Sequence, residues 1–180
     1  MNKHCLQGKR LILRAPEPED LEMMYRLENA PEMWSVSNTT VPYSHYVLRQ
    51  YIANCQNDIY TDHELRLMIQ PKACQQAIGT VDLIDFTPLH GRAEVGIAIE
   101  KDYQRNGYGQ EALELLCDYA FNLLHVNQLY AYVQTTNTAS LSLFEKCGFS
   151  QKVILKQWFN DSERGYTNAY LMQRLFTSSV

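Results

Sequence analysis

Between Tyr119 and Phe144 this 180-residue chain carries no Asp, Glu, Lys or Arg. A charge-free run of that length has to be tested as a membrane span, because about 20 apolar residues suffice to cross a bilayer. Asn122, His125, Asn127, Gln128, Gln134, Thr135, Thr136 and Asn137 interrupt it with groups that hydrocarbon cannot satisfy, which excludes the reading. Met1 to Arg14 contains basic residues but no apolar h-region, so no secretory signal is expected and the chain reads as cytoplasmic. Cysteine is scarce and dispersed: Cys5, Cys55, Cys74, Cys117 and Cys147 are an odd number, with neither a CxxC nor a close Cys/His pair. That spacing argues against a disulfide framework and against a metal site, and for reduced, mostly buried thiols. Positive charge is also short. Sixteen Lys and Arg against twenty Asp and Glu give a net charge of -4, which offers no attraction to nucleic acid or an anionic membrane and suits a cationic partner.

With 46% hydrophobic and 20% charged residues the composition is that of an ordinary globular chain, and the length predicts a single domain over residues 1–180 with its core over about 11–176. Leu11 to Leu13 reads as a strand. Pro16 to Asp20 reads as a turn feeding a helix on which Leu21, Met24, Tyr25 and Glu28 share a face, and Pro31 is expected to end it. Ser44 is a candidate N-cap for a second helix with Val47, Leu48, Tyr51, Ile52 and Cys55 at helical spacing. From Glu64 the period becomes two. Glu64 to Gln70, Ala77 to Phe86 and Ala93 to Glu100 predict an antiparallel meander. Helical spacing returns at Ala112, Leu113, Leu116, Ala120, Leu123 and Leu124, followed by a strand at Leu129 to Gln134 and a short helix from Thr138 to Cys147. Two last strands are expected at Lys152 to Phe159 and Tyr166 to Leu175.

Gln104-Arg105-Asn106-Gly107-Tyr108-Gly109-Gln110 lies between a strand and a strongly amphipathic helix. Glycines there let the backbone approach a ligand and converge its N–H groups, and the helix start adds the positive end of its dipole, an arrangement suited to a pyrophosphate. Arg105 can add a charge-assisted contact. The Gly-Lys-Ser/Thr of a P-loop is absent. Gly107, Gly109 and Ala112 fit a dinucleotide fingerprint, but the acidic residue about 20 positions on that would hold a ribose falls inside the charge-free run. The meander upstream is also the wrong scaffold for a βαβ unit.

Three motifs in order, Arg92 to Ile99, Tyr103 to Gly109, and Asn137 to Ser140 with Glu145 to Phe149, resemble the GNAT acetyltransferases. Within that superfamily the chain is most similar to the branch of ribosomal-protein N-terminal acetyltransferases and bacterial spermidine acetyltransferases, from about Leu11 to Phe176. The resemblance implies an α/β (α+β) fold with a mixed, mostly antiparallel, V-shaped sheet flanked by helices. It also implies acetyl-CoA wedged between two splayed parallel strands. Ile97, Ala98 and Ile99 would bond the pantetheine arm through their backbone, Gln104 to Gln110 (Gln104, Arg105, Asn106, Gly107, Tyr108, Gly109, Gln110) would hold the pyrophosphate, and Asn137 and Ser140 would flank the thioester. Family members often form dimers or rings, so a homo-oligomer is a further expectation.

Acetyl transfer to an amine needs a base, because an amine with a pKa near 10 must lose a proton before it attacks. Alternation on the strand places Glu94 beside the small residues Gly96 and Ala98, opposite Val95, Ile97 and Ile99, which makes it the first candidate. Asp82 and Asp85, three apart, point to opposite faces unless the strand is irregular; Asp85, near the strand end, is favoured for holding a cationic amine, with Glu28 and Glu32 as further candidates. Phe144 stands where the spermidine enzymes carry a Tyr, so the acid role has to pass to water held by Asn137 or Ser140, or to another phenol such as Tyr170. The leading acceptor is a polyamine. A protein α-amine, an antibiotic amine, and a non-catalytic acyl-CoA-binding module are the alternatives.

Overall fold

The computed structural model describes residues 6–34, 39–55, 58–161 and 164–176, apart from the side chains of Glu32 and Gln151. Strand β1, Leu11–Arg14, buries Leu11 and Leu13 and turns Ile12 and Arg14 the other way, as the period of two requires. Arg14 donates to both oxygens of the buried Asp20 at 2.7 and 2.8 Å, which anchors the turn leading into α1, Leu21–Glu28. The buried stripe of α1 is rotated from the expected one: Met23, Met24 and Leu27 are interior, while Leu21 and Tyr25 pack at the margin. Pro31 also acts differently. Helix α1 has already ended at Glu28, and Pro31 opens α2, Pro31–Trp34, because a proline at the first helical position forfeits no hydrogen bond. Helix α3, His45–Asn54, starts as expected, with Ser44 Oγ accepting from the Val47 N–H at 3.2 Å. A single turn, α4, Ile59–Asp62, is capped by Asp58; four residues are too short for a period to show in sequence.

The meander forms as β2, Leu65–Pro71, β3, Gly79–Thr87, and β4, Arg92–Ile99. Helix α5, Tyr108–Asn122, crosses over to β5, Gln128–Gln134; helix α6, Thr138–Lys146, precedes the hairpin of β6, Gln151–Asp161, and β7, Gly165–Leu175. The sheet has seven strands in the order β1-β2-β3-β4-β5-β7-β6, all antiparallel except the β4–β5 pair. The mixed, mostly antiparallel sheet flanked by helices is the expected fold class.

Two separate cores occupy the two faces. Leu113, Leu116 and Ala120 of α5 and Phe144 of α6 pack with Val95, Leu129, Ala131 and Val133, whereas Met23, Met24, Leu27 and Leu48 pack over Met68 and Ala77 on the other side. The longest helix, α5, has 15 residues, and no helix among the described residues is long and apolar enough to cross a membrane. Cys117 and Cys147 are buried thiols, Cys74 is a half-buried one and Cys55 is half-buried; Cys5 lies outside the described residues.

One glycine holds the register that aims β4. A Cβ at Gly79 would stand 2.2 Å from the Ala98 carbonyl oxygen and 2.9 Å from Ile99 Cα, both backbone atoms that cannot swing away. We predict that Gly79→Ala costs about 1–3 kcal/mol, as overpacking does, lowering Tm by about 2–4 °C per kcal/mol in a chain of this size. A calorimetric scan showing an unchanged Tm would refute this reading.

Candidate active site

Strands β4 and β5 are paired at only three positions, Arg92 with Gln128, Ala93 with Leu129 and Glu94 with Tyr130. Beyond Glu94 the two strands run on without pairing to each other, so a cleft opens between them. The ladder to β3 decides which groups face that cleft. Glu100 N–H donates to the Ile78 carbonyl at 2.9 Å, and antiparallel alternation therefore turns the backbone groups of Ala98 toward β3 as well. Those of Ile97 and Ile99 lie on the open edge. Of the three residues expected to present their backbone there, Ala98 is thus already committed, and its side chain packs against the α1–α3 core. Gln104 Nε2 donates to the Ile99 carbonyl at 2.8 Å, closing the end of β4.

The loop after β4 is shaped by two residues in the left-handed region, Arg105 at φ 61° and Gly107 at φ 79°, the latter being the residue before α5. Alternating backbone of this kind converges successive N–H groups on one point. A residue outside the motif pins it. Arg10 donates to the Asn106 carbonyl at 2.9 Å, sits over the Tyr108 ring, and pairs with Glu111 at 3.0 Å. Burial would raise the Glu111 carboxyl, but hydrogen bonds from the Arg10 and Leu11 backbone and the Arg10 guanidinium outweigh it and hold the group below its ordinary value. Arg105 itself is exposed. Gly109 lines a throat: a Cβ there would touch Ile99 Cδ1 and Leu143 Cδ2 at 3.4 Å each.

Glu94 stands at the last paired position, where the strands part. It shares a face with Gly96 and Ala98, and β4 has no bulge to disturb the alternation; the irregularity lies in β3, between Ile84 and Thr87. Burial first, and the charge of Asp85 second, push the Glu94 carboxyl up to about 7. Asp85 reaches it because its backbone is left-handed, φ 50°, at that bulge, which removes the expected opposition of Asp82 and Asp85. Next to Asp85 an open groove of about 480 Å³ is lined by His63, Phe86, Arg92 and Tyr130. Burial and then the Glu94 charge raise the Tyr130 phenol to about 12, so it stays protonated.

The other expected acceptor residues are placed differently. Arg66 donates to Glu28 at 2.5 Å and to both oxygens of Asp82 at 3.0 Å, so these two carboxylates share one guanidinium on the α1 face. Glu32 lies in α2, and its side chain is outside the described residues. Asn137 caps α6, its Oδ1 accepting from the Ser140 N–H at 3.0 Å.

A family model for the acetyltransferase (GNAT) domain matches residues 10–150. The chain belongs to the GNAT acetyltransferase family. As a GNAT chain it is an acyltransferase. It is 28% identical over 168 residues to spermidine N(1)-acetyltransferase of Vibrio cholerae, covering 92% of this chain and 95% of the relative. The crystal structure of the V. cholerae spermidine N-acetyltransferase with CoA and spermine matches with a TM-score of 0.81, 27% identity and coverage of 93% and 96%. A dodecameric structure of that enzyme matches with a TM-score of 0.77 and 26% identity, covering 93% of this chain and 95% of that one.

The GNAT fold binds acetyl-CoA, and this chain's residues fit that group: Ile97 backbone and the Ile99 N–H outside the β4–β5 ladder, a throat at Gly109 where a Cβ would already touch Ile99 and Leu143, and a nest of N–H groups at the start of α5. Phe144 is 3% exposed, its ring edge-on to Phe149 at 5.0 Å, so the GNAT core and not the cleft claims it. Tyr170 pairs with Val133 and packs on the same core. Sequence reasoning missed Arg10, Arg66 and Tyr130, whose roles depend on partners far along the chain. Among the described residues no group of three His, Cys, Asp or Glu is arranged to hold a metal.

The raised Glu94 group has a signature in stability. Its folded pKa, about 7, lies above the unfolded value, so the protonated form favours folding and that contribution is lost as pH rises through 7. Glu94→Gln is therefore expected to raise Tm at pH 8, by about 2–4 °C for each kcal/mol relieved, and to leave it unchanged at pH 4. An equal Tm difference at both pH values would contradict this.

Proposed function

We propose that this chain transfers the acetyl group of acetyl-CoA to the primary amine of a small cationic acceptor, with a polyamine as the leading substrate. The observation that carries the reading is Glu94, a carboxyl near neutrality at the point where the unpaired strands part. Acetyl-CoA supplies an activated acyl carbon as a thioester. Glu94 takes one proton from the acceptor ammonium and frees its lone pair for attack; as the C–N bond forms and the C–S bond breaks, the nitrogen's second proton passes through water to the departing sulfur. Ile97 N–H, on the open edge, supports the carbonyl oxygen as negative charge grows there. A thiol with a pKa of about 8.5 leaves readily as a thiolate, so a weak proton source suffices; we assign it to water beside Asn137 or Ser140. Gln104 to Gln110 hold the pyrophosphate, and Arg105, exposed, adds charge. Asp85 and Glu94 hold the cationic acceptor, while Glu28 is spent on Arg66.

The polyamine preference is supported by the spermidine acetyltransferase relatives, and a homo-oligomer by the dodecameric neighbour. A cytoplasmic location follows from the same reading. One observation favours a second acceptor, a protein α-amine: Phe144 occupies the position where the spermidine enzymes carry Tyr.

Thiol release from acetyl-CoA should be fastest with spermidine in a panel that also holds a short peptide and an aminoglycoside; a faster peptide would hand the site to the second reading. Glu94→Gln should lower kcat by about 10²–10⁴, the usual worth of a general base, and kcat/KM of the parent should rise as pH passes 7. Removing the neighbouring charge in Asp85→Asn eases ionisation of Glu94 and moves that limb to lower pH; a limb that stays in place sinks the coupling. Gly109→Val should weaken coenzyme binding at least about tenfold, or roughly 1.4 kcal/mol, and retained affinity would remove the throat from the account.

A further inference from the structure

On the Glu94 face the sheet carries a continuous aromatic ladder. Tyr130, the partner of Glu94 across the last β4–β5 pair, meets Tyr132 edge-on at 5.8 Å, and Tyr132 stacks on Trp158 at 5.0 Å with 23° between the planes. Trp158 belongs to β6, two strands away in the sheet, and is brought there by a distortion of that strand. The β6–β7 register shifts between Leu155 and Phe159, and Gln157 is left-handed at φ 52°. Asn168 fixes that bulge to the end of β5: its Oδ1 accepts from the Gln157 N–H at 2.9 Å while its carbonyl accepts from the Thr135 N–H at 3.0 Å. Bulges re-aim side chains, and a left-handed Gln carries a backbone cost of about 1–2 kcal/mol. Trp158 is half-exposed, with 48% of its surface still open to solvent.

The charges around the ladder are of one prevailing sign. Tyr132 is influenced by Glu94 and Asp85 more strongly than by Arg92, the cation of that group. Two carboxylates near partly exposed rings suit a cation, which would lie against the outer face of the stacked pair, since the ring quadrupole attracts an ammonium within about 6 Å of the centroid and Trp is the strongest of the aromatic residues in this respect.

We propose that Tyr132 and Trp158 form a specificity subsite that binds a second ammonium of the acceptor while its first amine lies at Glu94. This rests on the acceptor side assigned above and adds a requirement: the substrate is a diamine or longer polyamine with a positive charge away from the reacting nitrogen. A monoamine with an uncharged tail reaches Glu94 but gains nothing from the ladder.

Equilibrium binding to the full chain in the presence of CoA, measured by calorimetry, tests this without turnover. Spermidine and n-butylamine serve as the probes, on the parent, Trp158→Leu and Trp158→Phe. The leucine variant should lose about fivefold in spermidine affinity, the worth of roughly 1 kcal/mol of cation–π attraction, and less than about twofold for n-butylamine. Phenylalanine, which keeps a ring, should stay within about twofold of the parent for both. Equal losses for the two amines, no loss with leucine, or a parent that binds both amines alike would overturn the subsite. The expected binding pattern without any thiol release would support the subsite and count instead against acetyl transfer.

Discussion

The structure depends on where one pairing stops. Strands β4 and β5 hold together through Glu94 and Tyr130 and then part. Backbone donors and acceptors left unpaired inside a protein are costly, so the open edge at Ile97 and the Ile99 N–H demands either solvent or a ligand that can replace the missing ladder. An extended amide chain such as pantetheine does so, and the loop held by Arg10 and Glu111 lies at the same end of β4 to take the charged remainder. The cleft follows from that single interruption, and the coenzyme loop and the base proposed above both lie beside it.

The two faces of the sheet divide the chemistry. Toward α5 and α6 the wall is apolar, and the charge-free stretch Tyr119 to Phe144 supplies much of it through Leu129, Ala131, Val133 and Phe144. Toward α1 and α3 the face is acidic, and its carboxylates are treated unequally. Glu28 and Asp82 share one arginine, Arg66, which turns a buried cluster into a structural tie. Glu94 and Asp85 have no such partner in hydrogen-bond reach among the described residues. The same burial that is compensated at Arg66 is left uncompensated at Glu94, and this raises its pKa to about 7.

Local pattern carried the sequence reading far. Period two gave the meander, helical spacing gave α3 and α5, and Gly107 and Gly109 before a long apolar stripe marked the loop proposed to hold the coenzyme. Alternation alone put Glu94 beside small residues. What could not be read is non-local or exceptional in backbone. Arg66 finds Glu28 from 38 residues away, Arg10 finds Glu111 from 101, and no periodicity encodes either pairing. Bulges bring Asp85 near Glu94 and Trp158 onto Tyr132, and they break the period that sequence analysis relies on. The premature end of the β4–β5 pairing leaves no mark in either strand.

The central claim is that splayed strands bury Glu94 enough to make it a base near neutrality. Carbon-13 NMR of the Glu94 carboxyl, assigned by its loss in Glu94→Gln and followed from pH 3 to 9 on the intact chain, measures this directly. The account predicts a titration centred at about 7. A midpoint in the ordinary glutamate range, near 4.5, would contradict it.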